Sequence, residues 1–143
     1  MIDGLTIAVD FDGTIVENKY PQIGKPIIFA LETLKKLQEE GHLLILWTYR
    51  SGKELDEAVI FCKKNGLQFY AVNKSYPEEV FEETQSRKIQ ADIFIDDRNI
   101  GGLVGWGEIY QTLGKENIYA TKKIKNKKKK ARNGILNFLK PKL

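Results

Sequence analysis

A short apolar run is followed by Asp10-Phe11-Asp12-Gly13-Thr14, which puts two carboxylates two positions apart. In an extended chain such positions share a face, so Asp10 and Asp12 look into one cleft while Phe11 turns toward the core. Gly13 has no side chain to obstruct a ligand, and a turn at Gly13 and Thr14 offers backbone N–H groups to an anion. A second acidic pair, Asp96-Asp97, ends another apolar run, and adjacent carboxylates repel unless something positive sits beside them. A third apolar run ends in Thr48, with Arg50 two residues on. Alone, Thr48 reads as a strand-ending threonine and Lys88 as a surface lysine. Arg50 is suited either to a second phosphate or leaving group or to solvent, and Arg98 to orienting the acidic loop or to solvent.

The elements that must position these residues alternate. Leu5 to Val9 reads as a buried strand, and Gly24 to Gly41 as a helix with Pro26 in its first turn and Gly41 in the left-handed cap. Leu43 to Trp47 is a second strand. Ser51 and Glu54 form a capping box that opens a helix closed by Asn65-Gly66. Leu67 to Val72, an acidic helix over Pro77 to Gln85, a strand at Ala91 to Ile95 and a helix at Gly105 to Leu113 complete the series. Nearly unbroken apolar strands alternating with helices predict an α/β three-layer sandwich with a central parallel, Rossmann-like sheet. Ligands bind beyond the carboxyl ends of such strands, where Asp10, Asp12, Thr48, Asp96 and Asp97 fall. His42 enters the second strand at the other end and reads as structural, and Trp47 and Trp106 read as core.

The motif Asp10-Phe11-Asp12-Gly13-Thr14 resembles the first signature of the haloacid dehalogenase-like hydrolase superfamily, and the run Asp96 to Gly102 is similar to that of its small bacterial and phage members. Leu43 to Thr48 is similar to the second motif, Lys88 to the third motif's lysine and Ile93 to Asp97 to the acidic fourth. This resemblance spans Leu5 to Leu113. It implies that Asp10 is a nucleophile forming an aspartyl-phosphate and that Asp12 is the acid and base. It also implies that Thr48 and Lys88 hold phosphoryl oxygens, with Lys74 the rival for the lysine role. Two like charges ~4 Å apart cost about 4 kcal/mol at an effective dielectric of ~20, so a carboxylate attacking a phosphate needs a counter-charge. Magnesium suits that need, with Asp10, the Asp12 carbonyl and Asp96 as implied ligands and Asp97 as direct or indirect support. The implied activity is magnesium-dependent phosphomonoester hydrolysis on a phosphorylated small molecule or nucleic-acid end. An Asp at position 12 favours phosphate esters over haloacids. A receiver domain shares the residue types but orders them differently. The gaps between motifs are short, which implies a capless member in which Gly13 to Lys25 has room for a small hairpin flap.

The chain has 143 residues, 42% hydrophobic and 29% charged, the profile of an ordinary globular domain with no run apolar enough to span a membrane. No secretory signal is visible and Cys62 is the single cysteine, which together suggest a cytoplasmic protein with no disulfide. The net charge of +4 conceals an asymmetry: all ten basic residues from Lys122 to Lys142 lie in a stretch with no Asp or Glu. The division expected is a hydrolase-like domain over residues 1–121 and a basic tail over 122–143. That tail reads as a solvated, partly disordered segment or as a polyanion contact, with nucleic acid ahead of an anionic membrane surface. Its apolar end, Ile135, Leu136, Phe138 and Leu139, has the further option of folding back on the body. The alternative function is a nucleic-acid-binding protein whose hydrolase-like body is vestigial or regulatory.

Overall fold

The computed structural model describes residues 4–114 and 118–139. The elements run β1 (Thr6–Val9), α1 (Ala30–Glu39), β2 (Leu43–Leu46), α2 (Gly52–Lys64), β3 (Ala71–Val72), β4 (Ile93–Ile95), α3 (Trp106–Leu113) and α4 (Ile118–Phe138). The four strands form one sheet in the order β3-β2-β1-β4, all parallel. This is an α/β sandwich built on a parallel sheet, without a large cap. Its larger core lies on one face, where Ile7, Val9, Leu44 and Leu46 meet Leu34, Cys62 and Ile109 from the helices. The other face carries a smaller cluster, Ala8, Ile45 and Ala71, covered by Ile89 of the connection from β3 to β4. The alanines fit this role because an irregular connection must approach the sheet closely.

Helices α1 and α2 close as their sequences suggest. Beyond α1, Gly41 at φ 93° lets its own N–H reach the Gln38 carbonyl and the His42 N–H reach Leu37. Beyond α2, Gly66 and Leu67 repeat the pattern on Lys63 and Cys62. Other expectations are corrected. The first helix begins at Ala30, not Gly24, because the segment before it pairs with the chain leaving β1: Glu17 N–H donates to the Lys25 carbonyl and Ile27 N–H to Ile15. Pro26 sits in that antiparallel bridge, and the residues between form a small flap. Ser51 caps α2 by backbone conformation alone, with no side-chain bond. No helix forms over residues 77–85, whose apolar periodicity is thin.

The basic segment is the largest departure. It is helical from Ile118 to Phe138, so the charge boundary at Thr121 falls inside an element. Helix α4 packs on α3, its half-buried Ile124 joins the larger core and Lys128 forms an ion pair with Asp92 at 2.5 Å. The apolar end does not fold back: Ile135, Leu136, Phe138 and Leu139 are all exposed. Among the described residues, no helix is long and apolar enough to cross a membrane.

Candidate active site

Strand order fixes where the site must be. The chain leaves β1 for β2 and β3 on one side and returns to β4 on the other, so a crevice opens beyond the carboxyl ends of β1 and β4. The Asp10 N–H donates to the Ile95 carbonyl at 3.0 Å, tying the two strand ends together. Asp10 follows β1 and Asp96-Asp97 follows β4. Carboxylate oxygens of Asp10, Asp96 and Asp97 lie within 4.8 Å of one another, an arrangement able to hold a metal ion. Three hard oxygen donors suit a hard cation.

The buried Thr14 hydroxyl fixes two members of this cluster. It donates to Asp10 Oδ2 at 2.9 Å and accepts the Asp97 backbone N–H at 3.1 Å. Burial pushes the Asp10 carboxyl up to about 7, against the Thr14 hydrogen bond, and the nearby charge of Asp96 adds to the rise. Gly13 at φ 85° is required here for space as well as conformation, since a Cβ would collide with the Asp97 carboxylate. Gly13→Ala is therefore expected to weaken divalent-cation affinity by about tenfold or more through displacement of Asp97. Calorimetric titration with magnesium checks this, and unchanged affinity would remove Asp97 from the cluster.

Several residues stand elsewhere than the sequence suggests. The Gly13 and Thr14 N–H groups are spent within the turn, on Val16 and Phe11, and are not available to an anion. The Thr14 side chain is wholly buried, so it positions carboxylates and does not contact a ligand in the cleft. The Asp12 carboxylate turns away from the cluster to accept a two-pronged bond from Arg50, Nε and Nη2 each at 2.7 Å. Arg50, expected to bind phosphate, is 1% exposed. Its remaining donors go to the carbonyls of Pro21, Gln22 and Glu54 at 2.9, 2.9 and 3.4 Å, and its guanidinium lies 5.0 and 5.2 Å from the rings of Phe11 and Tyr20. The arginine thus fastens the flap to Asp12. Lys88 is exposed, 5.7 Å from the Phe94 ring, and is not among the residues lining the cleft.

The cleft has a volume of about 770 Å³ and is lined by Asp10, Asp12, Thr48, Asp96 and Arg98, with Asn18 and the aromatic side chains of Tyr20, Trp47 and Tyr49 at its sides. Trp47 is half-buried, packing against the smaller core cluster as well as forming a wall of the cleft, while Trp106 is core and donates its indole N–H to the Thr14 carbonyl. Thr48 is held by Asn73, whose Oδ1 accepts the Thr48 N–H at 2.8 Å, and its hydroxyl accepts the Arg50 N–H at 3.2 Å. Asn73 has φ 53°, a conformation Asn tolerates better than most residues, but nothing in its sequence context marked it. His42 is structural: its Nδ1 accepts the Leu5 N–H at 3.0 Å, and burial lowers its pKa.

No family model and no curated protein matches the chain. A solved structure of a conserved protein from Bacteroides thetaiotaomicron does match, with 56% sequence identity and a TM-score of 0.74, covering 83% of this chain and 97% of that one. The chain belongs to the same family as that protein. At this identity the relationship extends to the sequence as well as the fold over the matched 83% of this chain.

Proposed function

We propose that this protein is a magnesium-dependent phosphomonoester hydrolase of the haloacid dehalogenase-like type, working through an aspartyl-phosphate on Asp10. The observation that carries the reading is the convergence of Asp10, Asp96 and Asp97 beyond two adjacent parallel strands, beside the Asp12 and Thr48 side chains in one cleft. Asp10, Asp96 and Asp97 would hold magnesium, which supplies positive charge where an anionic phosphate must meet a carboxylate. Asp10 attacks phosphorus, the bond from phosphorus to the ester oxygen breaks, and Asp12 gives that oxygen its proton. Asp12 then takes a proton from water as the water attacks the phosphoryl group, releasing phosphate and restoring Asp10. Arg50 takes one lone pair on each Asp12 oxygen, so the transferred proton must use one of the remaining two, and Arg50 is a positioning residue for this transfer. Thr48 and Arg98 are the cleft groups suited to the phosphoryl oxygens, in place of Arg50 and Lys88.

An open cleft with aromatic sides and no cap suits a phosphorylated small molecule or a phosphorylated end. The test is hydrolysis of an aryl phosphate with magnesium and with chelator. Activity only with the metal supports the reading, and none under either condition across sugar, nucleotide and aryl phosphates would overturn it. Asp96→Asn and Asp97→Asn should both raise the magnesium concentration giving half-maximal rate, Asp96→Asn by the larger factor. Asp97 has the hydroxyl of Thr14 on its backbone to keep its loop in place, whereas the Asp96 carboxylate itself accepts the Arg98 N–H at 2.8 Å and organises the loop.

A further inference from the structure

Helix α4 carries eight basic residues from Lys122 to Arg132 and no acidic one. It meets the body at the amino ends of the strands, since Lys128 pairs with Asp92 just before β4, and the Asp92 carboxylate also accepts the Thr6 N–H of β1 at 2.8 Å. The candidate active site lies at the opposite ends of the same strands, so α4 is not placed to present a polyanion to the cleft. From Asn126 onward every described side chain of the helix is exposed. Ile124, Lys128, Ala131, Ile135 and Phe138 recur at the spacing of one helical face. That face begins on the body with Ile124 and continues past it, about 15 Å beyond Lys128 at Phe138. There Ile135, Leu136, Phe138 and Leu139 are 61, 58, 88 and 69% exposed.

We propose that α4 docks the protein on an anionic lipid surface, Arg132 and the lysines not held by the body meeting headgroups and its apolar end entering the interface. A basic helix with a projecting apolar end matches both properties of such a surface, negative charge outside and hydrocarbon beneath. Nucleic acid would use the cations but leaves four large apolar side chains in water with no role. Docking at α4 leaves the cleft free, so the proposal is independent of the phosphohydrolase reading.

The test is co-sedimentation of the full chain with vesicles of phosphatidylcholine alone or with about 30 mol% phosphatidylglycerol, beside fluorescence binding of a single-stranded oligonucleotide. Expected is binding to the anionic vesicles about tenfold or more tighter than to the neutral ones. Ile135→Ser with Phe138→Ser should lower vesicle affinity by about tenfold or more while leaving oligonucleotide affinity unchanged. These side chains are exposed, so the variant keeps its fold, and circular dichroism checks its helix content. Three outcomes overturn the proposal. One is no binding to anionic vesicles. Another is vesicle binding unaffected by the apolar substitutions, which leaves a general polyanion contact such as nucleic acid. The third is a dimer in solution that the substitutions dissociate without vesicle binding, which assigns the apolar end to a second copy of the chain.

Discussion

On the proposed mechanism, Asp10→Asn is expected to lower phosphomonoester hydrolysis by roughly 10⁴-fold or more, because the amide would remove the nucleophile and one member of the acidic cluster together. The same substitution stabilises the metal-free protein at neutral and alkaline pH. The Asp10 carboxyl is raised from 3.8 to about 7 in the folded state, so between those values the folded chain binds more protons than the unfolded one. Stability therefore falls as pH rises through that window, and the deficit is complete above about pH 7. Thermal melting in chelator should show the wild-type midpoint falling relative to that of Asp10→Asn from pH 5 toward pH 8, leaving the variant higher at pH 8 by a few degrees, while His42, common to both, cancels in the comparison. Magnesium should recover part of that difference in the wild type and little in the variant. A variant that hydrolyses aryl phosphate at the wild-type rate would end the covalent mechanism, and a variant whose melting follows the same pH dependence as the wild type would mean that Asp10 is not held against its charge.

Arg50→Ala has the largest expected effect on stability, about 3–5 kcal/mol, the usual consequence of removing one partner of a buried ion pair. The loss has three sources on the same side chain: Asp12 keeps a desolvated charge, the Pro21 and Gln22 carbonyls lose their donor, and the Phe11 and Tyr20 rings lose the cation between them. Arg50→Lys should recover only part, since an ammonium does not reproduce the two parallel bonds to Asp12. Urea denaturation measures both variants. The double variant with Asp12→Asn should be clearly less destabilised than the sum of the singles, because the stranded carboxylate is then absent. Additive losses would show the pair to be uncoupled. Activity separates the proton role: Asp12→Asn should slow alkyl phosphates far more than an aryl phosphate whose leaving group needs little protonation. Equal losses on both would assign the proton to another group.

The framework was legible in the sequence: buried strands ending in Asp10, Thr48 and Asp96, helices closing at Gly41 and Gly66, and Asp10 and Asp12 both facing the cleft side of the β1 turn with Phe11 in the core. These features are local, set by apolar periodicity, strand alternation and the conformational freedom of glycine. It also marked the change of charge at Lys122, but not that the segment is a helix docked on α3, because tertiary contacts at Ile124 and Lys128 help hold a lysine-rich helix that its own repelling charges oppose. How each polar side chain spends its donors and acceptors depends instead on long-range packing. Arg50 has the charge and the position for a phosphate, yet burial leaves it no water, so all its donors had to be matched inside the protein, and Asp12 and the flap carbonyls supply the match. Thr14 likewise lies one residue past a glycine turn, where a sequence suggests ligand contact. Only the approach of β4 to β1 brings Asp97 against it and makes its hydroxyl the link between two carboxylates 87 positions apart, a pairing between distant segments that no local pattern encodes.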